Sequence, residues 1–193
     1  APVPGSLAHA GAVPVLVDVD DDFLIDLADL EQKAIQSGAK TLLLSHMRGH
    51  VCDMHALSGI CERLGIQVIE DCAHTMGAGW DDRKTGTWGR AGCFSLQSYK
   101  HANAGEGGLL ITDDADIAAQ AILMSGSYML YASHIARPPD VVFERWKYVT
   151  PNFSMRMSNL AAAVARPQLG DVLTRRCESW NQRYRWLSQA LEG

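Results

Sequence analysis

Among the 193 residues there is no CxxC pair, and the five cysteines (Cys52, Cys61, Cys72, Cys93, Cys177) are odd in number and scattered. That fits reduced thiols in a cytosol better than a disulfide framework. No apolar stretch approaches the roughly 20 residues that a membrane helix needs. Basic runs are missing as well. The 17 Lys and Arg stand against 22 Asp and Glu, a net charge of −5, which argues against nucleic acid or anionic lipid as the main partner. The patterns GxxxxGKS/T, HExxH and GxSxG do not occur, so P-loop, zincin and α/β-hydrolase chemistries lack their anchors. No internal repeat recurs at a fixed period.

What is there belongs to a globular chain. Hydrophobic residues make up 47% and charged residues 20%, which excludes wholesale disorder. The length suits one domain or most of one. The chain opens on APVPGSLAHAGAVP and closes at Gly193 straight after a long helical pattern, so the sequence reads as a fragment of a longer protein.

Strand and helix signals alternate. VPVLVDVD (13–20), TLLLS (41–45), IQVIE (66–70), GCFSLQ (92–97) and GLLITD (108–113) are short and apolar, hence strand-like. Residues 27–37 set Leu27, Leu30, Ala34 and Ile35 on one helical stripe, with Gly38 as a stop. Asp53 is placed to cap a helix carrying Met54, Leu57, Ile60, Cys61 and Leu64 on one face, ended by Gly65. Asp114 or Asp116 opens another helix to about Ser125. Residues 77–92 are glycine-rich and full of turn signals. Residues 126–157 show no clear period and read as a long irregular connection containing Pro138, Pro139 and Pro151. From Ser158 the pattern is helical, interrupted at Pro167. This alternation predicts a three-layer α/β/α fold with a mainly parallel sheet.

His46, His50, Cys52 and His55 invite a metal, but their spacing matches no standard ligand set, and a polar loop with a first helical turn accounts for them. No metal is expected. GEGG (105–108) resembles a phosphate loop only superficially; glycines before a strand more often serve a tight turn. The informative residues are Asp71 and Lys100, each just after an expected strand, at the edge where open α/β sheets place ligands. One reading of the pair is a plain salt bridge. The other is an aldehyde-capturing amine with a carboxylate beneath a pyridine nitrogen, the two groups that pyridoxal phosphate needs.

The local string favours the second reading. VIEDCAHTMGAGWDDRKTGTWGRAGCFSLQSYKHANAGEGGLLITDD (68–114) resembles the core of the DegT/StrS group of sugar aminotransferases, fold-type I enzymes that use pyridoxal phosphate. The matching pieces are EDxAH, Gly77-Ala78, the GxxGxxGCFS run into Ser95, Lys100 five residues later, and GEGG. The likeness extends upstream through AGAVPVLVDVD (10–20) and SHMRGHVCDM (45–54), and downstream through RMSNLAAAV (156–164).

The resemblance implies a division into a coenzyme-binding large domain (1–157) and a long helical segment (158–193) leading towards a C-terminal small domain. It further implies that Lys100 holds the coenzyme aldehyde and that Asp71 partners the pyridine nitrogen. His74 falls where relatives carry Gln or His near the ring, and Ser95 matches a serine on the phosphate. Ser98 is a weaker candidate for that task, and Glu106 reads as a turn residue. Relatives usually carry Asn two residues before the Arg of the RM pair, reaching the neighbouring subunit's phosphate. Here Ser154 stands at that position and Asn152 two residues earlier. The family's N-terminal Gly-Thr phosphate turn would lie before Ala1.

By the same resemblance, the reaction is expected to be transfer of an amino group from glutamate or glutamine to a keto-sugar attached to a nucleotide. A cytoplasmic homodimer with sites between subunits is expected, and Tyr128, Met129, Tyr131 and Trp146 are candidates for its surface. Three competitors remain. A sugar dehydratase of the same family typically has His in place of the lysine, and His101 stands next door. The others are a catalytically silent scaffold and a plain nucleotide-binding domain.

Overall fold

Local capping sets most of the helices. The computed structural model describes residues 2–127 and 129–191, so Tyr128 lies outside the described residues. Helix α1 spans Pro2–His9 and α2 spans Leu27–Ser37. The Asp26 carboxylate accepts from the amides of Ala28 and Asp29 at the start of α2, and Gly38 ends it at φ 69°. Strand β1 is Thr41–Ser45. Helix α3, Met54–Leu64, repeats the device, with Asp53 as the cap and Gly65 in the left-handed region at φ 65°. Then come β2 (Gln67–Asp71), the hairpin β3 (Gly79–Trp80) and β4 (Arg83–Lys84), β5 (Ala91–Ser95) and β6 (Gly108–Ile111). The remaining helices are α4 (Ala115–Met124, capped by Asp114), α5 (Asp140–Trp146), α6 (Asn159–Ala165, capped by Ser158) and α7 (Asp171–Leu191). Pro167 sits in a 3₁₀ turn, Arg166–Gln168, between the last two. No described helix is long and apolar enough to cross a membrane.

The fold is α/β. The four-stranded sheet has the order β1-β2-β5-β6 and is mixed, mainly parallel: β2 runs parallel to β5, with Asp71 opposite Cys93, and β6 is antiparallel to β5. The chain divides into two units, residues 1–42 with 50–67 and residues 43–49 with 68–193. In the first, α2 packs on α3, and Leu30, Met54, Leu57 and Cys61 are buried. In the second, Met76, Leu96, Ala102 and Ala165 form one apolar cluster, joined by Leu173 and Met157. A further cluster joins α4 to α5 through Ala119, Leu123, Val142 and Phe143, with the Tyr131 ring stacked on Phe143 at 4.2 Å.

Two expectations are corrected. Residues 13–20 are not a strand; only Val19 bridges to Ile25, and Val13 and Leu16 are 90% and 79% exposed. The run has strand composition, but no described strand lies alongside to accept its backbone bonds. The stretch 126–157 is not wholly irregular either. It contains α5, whose Trp146 indole and Arg145 guanidinium both reach Asp116 at the start of α4.

The glycines of the GxxGxxG run are explained by backbone proximity. A Cβ at Gly92 would lie 2.4 Å from the Gly86 Cα, and one at Gly89 would lie 2.5 Å from the Val68 carbonyl oxygen. Backbone cannot yield as a flexible side chain can. Gly92→Ala is therefore expected to lower stability by about 2–3 kcal/mol, read as a fall in the urea midpoint at constant slope. An unchanged midpoint would show that the segment 86–92 is looser than its packing implies.

Candidate active site

Asp71 closes β2 and is half-buried. Its Oδ2 accepts from the Ser45 hydroxyl at 3.1 Å, and its Oδ1 accepts from the Ala73 amide at 3.1 Å. Its backbone carbonyl takes the His46 amide. The carboxylate is thus oriented from the neighbouring strand and from its own turn. Lys100 is also half-buried, on the loop between β5 and β6, with its amide on the Gln97 carbonyl. Among the described residues neither the Asp71 carboxylate nor the Lys100 ammonium forms an ion pair. The plain salt bridge allowed by the sequence is absent.

His74 connects the two electrostatically. Its Nδ1 accepts from the Arg48 amide at 2.9 Å, which leaves Nε2 to carry the proton when the ring is neutral. Burial holds its pKa below the ordinary histidine value, the Lys100 and Arg48 cations lower it further, and Asp71 pulls the other way. His101 is lowered as well, by burial and then by His74, Arg176 and Lys100. Asp71, His74 and Lys100 therefore share one electrostatic neighbourhood. Lys100→Ala is expected to raise the His74 pKa, since it removes a cation that disfavours the imidazolium. Titration of the His74 ring by NMR checks this in the apoprotein, and an unmoved pKa would place Lys100 elsewhere.

Ser95, the last residue of β5, keeps its hydroxyl oxygen on the Gln97 amide at 3.2 Å. The hydroxyl proton is left as a donor towards an anion. Asn152 is exposed, and its Oδ1 accepts from the Ser154 amide at 2.8 Å. Ser154 takes up φ 53° there. His46 is buried on Glu70, Cys52 is buried with its thiol towards the Met54 sulfur, and His50 and His55 are exposed.

Two residues were missed from sequence. Ser45 contacts Asp71 across 26 positions, a pairing that no local pattern announces. Glu70 was legible only as the partner of Asp71 in EDxAH. It is fully buried, with Oε1 accepting from the Trp88 and Gly89 amides at 2.7 Å each. Its Oε2 takes the Gly86 amide at 2.8 Å and faces His46 Nε2 at 3.1 Å. Burial alone would push this carboxyl up, but His46 and the Gly86 and Gly89 amides outweigh it and hold the pKa below the usual carboxylate value. Glu70 thereby ties the glycine run to the strand that ends in Asp71. His46, Glu70 and Cys72 are close enough to suggest a metal. The carboxylate is already saturated with donors, however, and the Cys72 thiol is pushed up to about 12, chiefly by burial. The other four thiols are raised by burial as well.

The family model described as the DegT/DnrJ/EryC1/StrS aminotransferase family matches residues 4–193. The chain belongs to that family. Its members' resemblance to this chain is clear in both sequence and fold. L-glutamine:scyllo-inosose aminotransferase of Streptomyces griseus is 47% identical over 111 residues, 57% of this chain and 26% of that enzyme. GDP-perosamine synthase of Caulobacter vibrioides is 34% identical over 168 residues, 86% of this chain and 42% of the synthase. A family aminotransferase from Brucella abortus superposes with a TM-score of 0.78 at 25% identity, covering 97% of this chain and 49% of that one. E. coli GDP-4-keto-6-deoxy-D-mannose-3-dehydratase with bound hydrated PLP superposes with a TM-score of 0.73 at 26% identity, over 88% and 45% of the two chains. The family is thus pyridoxal-phosphate-dependent with the fold-type I architecture. The chain spans between about a quarter and a half of the length of the curated relatives it matches.

Proposed function

We propose that the protein carrying this chain is a pyridoxal-phosphate-dependent aminotransferase that moves an amino group from glutamine or glutamate to a keto-sugar or a related cyclic ketone, nucleotide-linked in the sugar case. The observation that carries this reading is an Asp71 carboxylate oriented by Ser45 and Ala73 and a Lys100 amine, neither in an ion pair among the described residues, both near enough to the His74 imidazole to bias its charge. That donor set fits the coenzyme. When bound, pyridoxal phosphate supplies an aldehyde that condenses with amines and a ring that accepts the electron pair freed at a substrate carbon.

The chain's own residues would then divide the work. Lys100 Nζ would hold the coenzyme aldehyde and, as a free amine, would serve as the base and acid that moves the proton at the substrate carbon. Asp71, held by Ser45 and Ala73, would keep the ring nitrogen protonated. His74, whose Nδ1 is taken by the Arg48 amide, would have its Nε2–H free to hold the ring hydroxyl. Ser95 donates to the phosphate. Asn152, its Oδ1 committed to Ser154, would offer its amide N–H groups to the coenzyme phosphate held by a second subunit. Exposed Phe153, Met155 and Leu160 nearby give the apolar surface that such a homodimer would bury. Residues 1–157 would form the coenzyme-binding domain and 158–193 the helical link to a further one.

The names of the Streptomyces and Caulobacter relatives support glutamine as donor and sugars or cyclitols as acceptors. Lys100 favours transamination over the dehydratase chemistry of the E. coli neighbour, since family dehydratases typically have His in that place. The test is to add pyridoxal phosphate to the full-length protein, reduce with borohydride and locate the adduct by peptide mass. A pyridoxyl group on Lys100 supports the proposal; a protein left unmodified there overturns it.

A further inference from the structure

The loop that carries Lys100 leaves β5 at Ser95 and returns as β6 at Gly108. At its base, the Leu96 amide donates to the Gly107 carbonyl and the Ser98 amide to the Gly105 carbonyl. Its far side, residues 101–103, is held by a segment far along the chain. The Asn103 amide donates to Gln168 Oε1 at 3.1 Å, and Gln168 Nε2 donates back to the Asn103 carbonyl at 2.5 Å, across 65 positions. The same Nε2 also reaches the Val164 carbonyl at 2.9 Å, which anchors Gln168 to α6. One turn and a half into α7, the Arg176 guanidinium donates to the His101 carbonyl, and the Trp180 ring lies 4.8 Å from the His101 ring. Between these contacts Ala102 is completely buried against the cluster that includes Ala165.

We propose that Gln168 is a positioning residue for Lys100, acting through Asn103 and assisted by Arg176 and Trp180. The inference rests on the reading of Lys100 given above. A primary amide offers one acceptor and two donors, so Gln168 satisfies the Asn103 amide and carbonyl as a strand neighbour would, with a donor left for Val164. A glutamate there turns two acceptors, the Asn103 and Val164 carbonyls, against a carboxylate. A methionine keeps the volume and removes every bond. Without this amide the loop keeps its base but loses the two-bond clamp on Asn103, three residues beyond Lys100, and the Nζ atom is no longer presented at one place. Displacements of about 1 Å at a reacting group cost on the order of 100-fold in rate.

The experiment compares the wild-type full-length protein with Gln168→Met, Gln168→Glu and the control Gln182→Met, an exposed residue further along α7. Two quantities are read: amide hydrogen exchange of peptides covering 98–104 in the apoprotein, and the rate at which added pyridoxal phosphate becomes borohydride-fixed to Lys100. The expected result is exchange about 10-fold faster in those peptides alone and fixation about 10-fold slower or more, in both Gln168 variants, with Gln182→Met unchanged. Wild-type values for both readouts in the Gln168 variants would overturn the proposal. A rise in exchange spread evenly over the whole chain would overturn it too, since Gln168 would then be a general structural residue. A wild-type protein that is never fixed at Lys100 sinks the coenzyme reading instead, an outcome told apart by the exchange data.

Discussion

Lys100→Ala is expected to abolish covalent retention of the coenzyme and to lower the transamination rate of the full-length protein by roughly 10³-fold or more, because one side chain supplies both the capturing amine and the moving proton. Lys100→Arg should not restore it. A guanidinium keeps its proton throughout the accessible pH range and cannot act as the free base. The effect should be specific to chemistry, since the Lys100 ammonium is in no ion pair whose loss would unsettle the fold. The melting temperature of the apoprotein should therefore stay close to that of the wild type. Rates measured with glutamine and a keto-sugar, beside thermal scans of the same samples, check both halves. Retention of more than a tenth of the rate in Lys100→Ala would move the proton-transfer role to another group.

The second large effect is structural. Glu70→Ala leaves the amides of Gly86, Trp88 and Gly89 and the His46 ring facing a cavity without their acceptor. Removing one side of a buried, charged arrangement costs about 3–5 kcal/mol, which in a domain of this size lowers the melting temperature by about 10 °C. Because the folded pKa of Glu70 lies below its ordinary value of 4.5, its contribution is fully present above that value and is lost as pH falls through the folded one. The stability gap between wild type and Glu70→Gln should accordingly be widest near neutrality and shrink below about pH 4.5. Denaturant titrations at several pH values read this directly. A gap that widens on acidification would contradict the assignment.

Much of this architecture could be read locally. The helices α2 and α3 carry their own start and stop chemistry in adjacent residues, so Asp53, Gly38 and Gly65 announced their bounds. Asp71 and Lys100 could be singled out because one closes an apolar strand and the other lies on the loop after another. Contacts that close over distance could not. Ser45 against Asp71, and Gln168 against Asn103, depend on chain path rather than on spacing. The run at 13–20 misled because β-branched content specifies a surface that suits a sheet without providing the neighbour that completes it. Helix α5 was hidden by its brevity, seven residues behind two prolines, of which Pro139 in fact stands at its start.

Burial raises the pKa of all five native thiols, which makes the molecule easy to instrument. Maleimides react with thiolates, so at neutral pH the native sulfurs should label slowly. Tyr99 is 91% exposed and adjoins Lys100. A fluorophore attached through Tyr99→Cys would sit beside the reacting amine and report, as a change in emission, each arrival of a coloured ligand.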